Sequence, residues 1–141
     1  MDVQTFFLLL VCVAGAWFVT QLLKLFWMKR PYTFTQWLFH SGGMPSSHSA
    51  IVAALATVIG LYNGLSISFL LAVFFAIIVM RDAMGVRYAV GNNALLLKTI
   101  LSKSSRKKIV LIEGHTLKQV VVGTLLGVGV SALLFFLFLA L

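Results

Sequence analysis

Residues 117–141 have the sequence LKQVVVGTLLGVGVSALLFFLFLAL and carry one charged side chain, that of Lys118. About 18 to 20 consecutive apolar residues are enough for a helix to cross the hydrocarbon core of a bilayer. Three further apolar runs precede this one, at about 6–27, 45–62 and 65–81. The second and third runs are near the short end of the spanning range, and together the four runs predict four transmembrane helices.

The composition of the 141-residue chain also indicates a membrane protein. Hydrophobic residues make up 61% of the chain and charged residues 10%, whereas soluble domains have about 45–50% apolar and about 25% charged residues. A soluble domain of this size exposes too much of its area to hide so much apolar surface. We therefore expect an all-α, polytopic membrane helix bundle of four helices in a single domain over residues 1–141, with a basic loop at 82–116.

The eleven lysine and arginine residues all fall at the same ends of the four predicted helices: Lys24, Lys29, Arg30, Arg81, Arg87, Lys98, Lys103, Arg106, Lys107, Lys108 and Lys118. Basic loops are typically cytoplasmic, so we expect a multi-pass protein of the cell membrane with its basic face in the cytoplasm and both termini outside. The net charge of +8 does not indicate nucleic acid, because basic residues between apolar segments set orientation or meet anionic lipid headgroups.

Small residues on the fourth predicted helix permit close contact with another helix. Gly123 and Gly127 are four residues apart, with Gly129 beyond them, and glycines at this spacing let two backbones approach. The partner helix can belong to the same chain or to a second chain, and the sequence leaves both alternatives open. Four helices make a thin bundle, so a homodimer is one expectation.

The polar stretch at 41–49, SGGMPSSHS, precedes and opens the second predicted helix. Pro45 suits the first position of a helix, where a missing N–H costs nothing. The free N–H groups of a first helical turn, at the positive end of the helix dipole, form an anion site. His48 adds a group that can donate or accept a proton, and close backbone approach and further donors come from Gly43, Ser46 and Ser47. The alternative interpretation is a capped helix with a satisfied histidine.

A second histidine, His115, precedes the fourth predicted helix, and Gln119 follows it at the i, i+4 spacing. With two histidines on one membrane face, one can attack phosphorus while the other protonates the leaving oxygen. Arginine and lysine side chains would hold the phosphoryl oxygens. Asp82 can either pair with Arg81 or Arg87, or orient a histidine.

No metal site is expected at this face. Asp82 is the one acidic residue near the end of the third predicted helix, and hard divalent cations need several oxygen ligands.

The segment Pro45-Ser46-Ser47-His48 resembles the second motif of the type 2 phosphatidic acid phosphatase superfamily, which also includes vanadium haloperoxidases. Together with residues 82–87 and 114–116, in this order, the chain looks like the divergent branch of that superfamily. The resemblance implies a metal-free and cofactor-free mechanism, in which His115 is the nucleophile and His48 the general acid. It further implies phosphate binding by Arg30, Ser46 and Ser47.

The chain departs from the superfamily pattern at four places. Five residues separate Lys24 from Arg30 where the superfamily has six, a rotation of about 100° on a helix, and Lys24 is kept as a candidate substrate-binding residue at this altered spacing. Ser47 stands in place of a glycine. Ile109 stands in place of an arginine, so that Arg81 or Arg87 would have to reach the site from the third helix. Gln119 replaces an aspartate, and can orient a histidine through a hydrogen bond but brings no charge.

Three functions remain open on the sequence. The first is a lipid phosphatase acting on a phosphate or diphosphate ester of a lipid through a phosphohistidine. The second is a non-catalytic protein that binds or transports a lipid phosphate with the same helix-terminus anion site. The third is a structural or assembly subunit that packs a partner helix through Gly123 and Gly127.

Overall fold

The structure, a computed structural model, describes residues 3–27, 43–101 and 114–140. Within these ranges the chain forms five α-helices and no strand: α1 (Val3–Trp27), α2 (Ser47–Asn63), α3 (Ile67–Met84), α4 (Val86–Ile100) and α5 (Leu117–Leu139). The four predicted apolar runs correspond to α1, α2, α3 and α5. The prediction of an all-α membrane helix bundle is therefore confirmed.

Helix α2 is the centre of the bundle and packs against α1, α3 and α5. Three apolar stretches are long enough to cross a membrane, namely Val3–Phe26, Ile67–Ile100 and Leu117–Leu139, whereas α2 has 17 residues. At 1.5 Å per residue α2 is about 26 Å long, somewhat less than the ~30 Å hydrocarbon core. Because its neighbours surround it, α2 can end below the membrane surface and still be covered by protein.

Small residues bring α2 and α5 into close contact. A Cβ atom added to Gly123 would overlap the carbonyl oxygen of Ser46 and the hydroxyl of Ser49, and one added to Gly127 would overlap the backbone of Ala50. The Gly123–Gly127 face is thus used within the chain, which decides between the two alternatives left by the sequence. A Cβ on Gly129 would meet nothing within 4 Å, and the homodimer stays a prediction.

The segment 82–116 is not simply a loop, as the sequence analysis expected, because it contains α4. The expectation was wrong here because helices were predicted only from uninterrupted apolar runs. Helix α4 has apolar residues broken by Asn92, Asn93 and Lys98, and most of its side chains are exposed. The basic residues at 102–113 lie outside the described part of the chain.

The two ends of the bundle differ in composition. At one end, here called the basic end, α1 and α3 finish with Lys24 and Arg81 in their last turns, and α2 and α5 begin. At the other, here called the distal end, Gly64 lies in the turn between α2 and α3 with φ 62°. There the Thr5 hydroxyl donates a hydrogen bond to the Tyr62 hydroxyl at 2.9 Å.

Candidate functional site

The start of α2 is built by the first of its two adjacent serines. Ser46 is the N-cap, and its hydroxyl accepts a hydrogen bond from the Ser49 N–H at 3.4 Å. The Ser49 hydroxyl in turn donates to the Ser46 carbonyl at 3.0 Å. The helix begins at Ser47, so Pro45 lies just before the cap and not at the first helical position. The sequence placed the helix start two residues early because it did not weigh the serine hydroxyl as the cap.

Gly43 precedes this helix start in a conformation that favours glycine. Its φ is 76°, in the left-handed region, and a Cβ there would meet nothing within 4 Å. Backbone conformation, not space, therefore accounts for glycine at this position. Gly43 leads the chain toward Ser46 and lies beside His115, whose protonation its backbone influences.

The start of α5 is closed by a capping box. The Thr116 N–H donates to Gln119 Oε1 at 2.8 Å, and Thr116 Oγ1 accepts from the Gln119 N–H. The Gln119 backbone carbonyl accepts a hydrogen bond from the Ser46 N–H at 3.1 Å. Gln119 thus joins the two helix starts through its backbone, and its side-chain oxygen serves the cap of α5.

His115 is held by its backbone between three helices. It is 2% exposed, and its N–H donates to the Ala83 carbonyl of α3 at 3.0 Å. The preceding Gly114 lies so close to α4 that an added Cβ would overlap the backbone of Tyr88. Since α5 begins two residues after His115, the imidazole is positioned from α3, α4 and α5 together.

The two predicted catalytic histidines meet at the basic end. The ring centroids of His48 and His115 are 6.2 Å apart, with the rings tilted by 56°. Within the described residues, the buried Nδ1 and Nε2 of His115 and Nδ1 of His48 have no hydrogen-bond partner. Buried polar atoms are normally satisfied, and each unsatisfied group costs about 1–3 kcal/mol. The described residues thus supply the helix cap of the alternative interpretation, at Ser46, but no hydrogen bond to these ring nitrogens.

Burial keeps His115 neutral. The pKa of His115 is lowered from its ordinary 6.5 to about 4, mainly because burial disfavours the charged form, and further by the positive charge of Lys24 and by His48. The Gln119 side chain and the Gly43 backbone act in the opposite direction. A neutral imidazole at pH 7 keeps a lone pair available for attack on phosphorus.

Lys24, a candidate substrate-binding residue, reaches this site, although its spacing from Arg30 departs from the superfamily pattern. Its side chain is 2% exposed, and Nζ donates a hydrogen bond to Ser47 Oγ at 3.0 Å. Rotation about the helix axis is a poor guide for a lysine, since its long flexible stem carries the ammonium several ångströms from the backbone. Arg30 lies outside the described residues.

The acidic and basic residues at the end of α3 pair with each other. Arg87 Nε donates to Asp82 Oδ2 in a half-exposed ion pair. Asp82 thus contacts Arg87, one of the two alternatives left by the sequence. Arg81 is exposed on the last turn of α3. In the part of the chain that the structure describes, no hydrogen bond joins either arginine to His48 or His115.

Buried polar residues that the sequence analysis did not single out lie one turn before Lys24. Thr20 and Gln21 are both nearly inaccessible to solvent. The Thr20 hydroxyl donates to the Trp17 carbonyl of its own helix at 2.7 Å. Their spacing of four and three residues from Lys24, in a run otherwise apolar, is the signal that would have placed them on its face.

Two further features of the described residues bear on other chemistry. Among the described residues, no three histidine, cysteine or acidic side chains converge to hold a metal ion. A cavity of about 280 Å³ opens at the distal end and touches neither histidine; its lining is Thr5, Leu8, Leu9, Val58, Ile59, Tyr62 and Asn63.

Comparison with known proteins agrees with the arrangement of these segments. Residues 6–130 match the family model described as the Divergent PAP2 family. The uncharacterized membrane protein YuiD of Bacillus subtilis (strain 168) is 34% identical, in an alignment that covers 70% of this chain and 74% of that protein. No solved structure has significant similarity to the chain. This multi-pass membrane protein therefore belongs to the Divergent PAP2 family.

Proposed function

We propose that the chain is an integral-membrane lipid phosphatase that hydrolyses a phosphate or diphosphate ester of a lipid through a phosphohistidine on His115. The observation that carries this proposal is the pair of imidazoles of buried His115 and partly buried His48, whose buried ring nitrogens have no partner among the described residues, next to the buried ammonium of Lys24. Buried polar atoms without partners are typical of a site that a ligand completes.

The phosphoryl group would bind at the start of α2. The first-turn N–H groups and the positive end of the helix dipole favour an anion there. Lys24 adds a full positive charge, held by Ser47 on that turn. The ring centroids of the two histidines are 6.2 Å apart, so that both imidazoles border the same region at the start of α2.

The reaction needs one nucleophile and one proton carrier. A ring nitrogen of His115 attacks phosphorus, the bond from phosphorus to the lipid oxygen breaks, and His48 gives its proton to that oxygen. A water then attacks the phosphohistidine while His48 takes the proton of that water. The phosphorus–nitrogen bond breaks, phosphate leaves, and both histidines return to their starting state. Lys24 stabilises the charge on the phosphoryl oxygens in both steps.

The side of the membrane follows from the charge distribution. The basic end carries Lys24, Arg81 and Arg87, and basic segments are typically cytoplasmic. The enzyme would then act on lipid phosphates of the cytoplasmic leaflet of the cell membrane, where anionic headgroups would surround the basic residues.

A second candidate function is a lipid-phosphate binding or transport protein. Two observations favour this function. Asp82 pairs with Arg87, and Gln119 stands where the superfamily has an aspartate. Loss of the carboxylate behind a catalytic histidine costs about 10⁴ in rate in the serine protease triad. In this chain, backbone contacts at Gly114 and Ala83 fix His115 instead, which supports the phosphatase.

The test is phosphate release by the detergent-purified protein from a panel of lipid phosphates and diphosphates, in the presence of EDTA. His115→Ala and His48→Ala are compared with Tyr62→Phe, a matched change of a polar ring at the distal end. Release by the unsubstituted protein and by Tyr62→Phe, lost in both histidine variants, is the expected result. Saturable binding of a lipid phosphate with no release from any substrate would overturn the phosphatase in favour of the binding protein.

A further inference from the structure

The position of Lys24 is unusual for a lysine in a membrane helix. Lysines near helix ends normally extend their stems so that the ammonium reaches water. Lys24 is instead 2% exposed and turns toward α2, where Nζ donates to the hydroxyl of Ser47, itself 5% exposed. The hydrogen bond joins α1 to the first residue of α2.

The two neighbouring serines have different tasks. The Ser46 hydroxyl caps α2 and its N–H is bonded to Gln119, so Ser46 builds the helix start and joins it to α5. The Ser47 hydroxyl accepts a hydrogen bond from the ammonium of Lys24. Substitution of Ser47 therefore leaves the capping hydroxyl in place and removes the acceptor on α2.

We infer that Ser47 is a positioning residue, whose hydroxyl holds the ammonium of Lys24 beside His115 at the phosphate site. The inference rests on the proposed function. It accounts for the joint departure at these two positions, because the glycine that the superfamily has in place of Ser47 has no side-chain acceptor. The positive charge of Lys24 acts on His115 and contributes to its lowered pKa, which agrees with an ammonium held close to the nucleophile.

A change toward the superfamily pattern should therefore be harmful in this chain. Ser47→Gly and Ser47→Ala both remove the acceptor and leave the ammonium without this tie to α2. A single preorganised donor at a developing negative charge contributes about 10²–10³ to kcat. We expect Lys24→Met to lower kcat by about 10²-fold and Ser47→Ala by about 10-fold, since the charge remains but its position relaxes.

A double-mutant cycle separates positioning through Lys24 from an independent role of Ser47. In the Lys24→Met background, Ser47→Ala should cause no further loss of kcat, because Ser47 acts through the ammonium. Ser131→Ala is the matched control, since Ser131 is a buried serine whose hydroxyl, among the described residues, donates to carbonyls of its own helix, at Gly127 and Val128. Equal losses from Ser47→Ala with and without Lys24 would overturn the inference, and the phosphatase would stand.

A second measurement does not depend on catalysis. Reductive methylation of the purified protein, read by mass spectrometry, reports the reactivity of the Lys24 amine relative to that of Lys118. We expect Lys24 to be protected in the unsubstituted protein and in Ser131→Ala, and several-fold more reactive in Ser47→Ala. Unchanged protection in Ser47→Ala would overturn the inference even if the protein releases no phosphate. Absence of release together with exposed Lys24 in Ser47→Ala would overturn the proposed function and support the positioning.

Discussion

The basic end and the distal end of the bundle differ in whether their polar side chains have hydrogen-bond partners. At the distal end, Thr5 and Tyr62 bond each other and Asn63 bonds Ser68, at an exposed turn. At the basic end, His115 is buried with both ring nitrogens unsatisfied among the described residues. Polar groups at the distal end stabilise the fold, whereas the described residues give the buried ring nitrogens of His115 no hydrogen bond to offset the cost of their burial.

The largest expected effect is that a substitution at the basic end lowers activity and raises stability, whereas one at the distal end lowers stability and leaves activity unchanged. His115→Leu should lower phosphate release by about 10³-fold or more, since the nucleophile is lost. It should also raise thermal stability in detergent, because an apolar side chain replaces a buried unsatisfied one.

Tyr62→Phe is the counterpart at the distal end. It should lower stability by at most about 1 kcal/mol through the lost hydrogen bond to Thr5, and leave phosphate release unchanged. Thermal unfolding and phosphate release measured on both variants check the comparison. A His115→Leu protein that unfolds at lower temperature would show that the imidazole supports the fold.

The next effect concerns pH. Because the pKa of His115 is lowered from 6.5 to about 4 in the folded chain, the unfolded chain takes up the proton first as pH falls. Stability is therefore complete above pH 6.5 and falls by up to about 3 kcal/mol as pH drops toward 4.

Unfolding of the unsubstituted protein and of His115→Leu across this pH window measures the difference. We expect the unsubstituted protein to lose stability more steeply, since the leucine variant lacks the titrating group. Parallel curves would mean that His115 is protonated at its ordinary pKa in the fold.

Substitution of one glycine at each end of the bundle extends the comparison to the backbone. Gly114→Ala puts a methyl group into the backbone of Tyr88 and should displace His115, with a loss of about 10²-fold in release, as small misplacements of catalytic groups do. Gly64→Ala at the distal end strains a φ of 62° at a cost of about 1–2 kcal/mol, with release intact. Equal activity of the two variants would argue against a positioned nucleophile.

The last comparison concerns the α2–α5 contact, where Gly123 lies against the start of α2. Gly123→Ala forces the added methyl group against Ser46 and Ser49, and overpacking of this kind costs about 1–3 kcal/mol. Gly129→Ala is the matched control, because a Cβ there meets open space and alanine favours the helix by about 0.5–1 kcal/mol. The two variants should move the unfolding temperature in opposite directions, and a fall in both would contradict the packing described here.

Much of the fold could be predicted because membrane helices are recognisable in a sequence as long apolar runs. Residues 117–141 correspond to α5 within two residues at its end. Helix α4 was missed because its apolar residues are broken by polar ones. The start of α2 was placed at Pro45, since the capping role of Ser46 depends on a hydroxyl direction that residue types alone do not give.

The residues of the site could be predicted better than the contacts between them. His48 and His115 were identified by their place at helix starts on one membrane face, and the structure brings them together. The contact of Lys24 with Ser47 could not be predicted from the spacing to Arg30, because helix rotation does not take account of the length of a lysine side chain. The pairing of Asp82 with Arg87 depends on the geometry of the α3–α4 junction, which follows from tertiary packing and was left open by the sequence.

The most direct test of the central claim is a search for the covalent intermediate. The purified protein is mixed with a lipid phosphate that it hydrolyses, quenched rapidly in base, where phosphohistidine survives, and analysed by mass spectrometry for phosphorylated peptides. The account predicts a phosphohistidine at His115 that accumulates in His48→Ala and is absent from His115→Ala. Phosphate release without any phosphohistidine, or with the phosphoryl group on another residue, would contradict it.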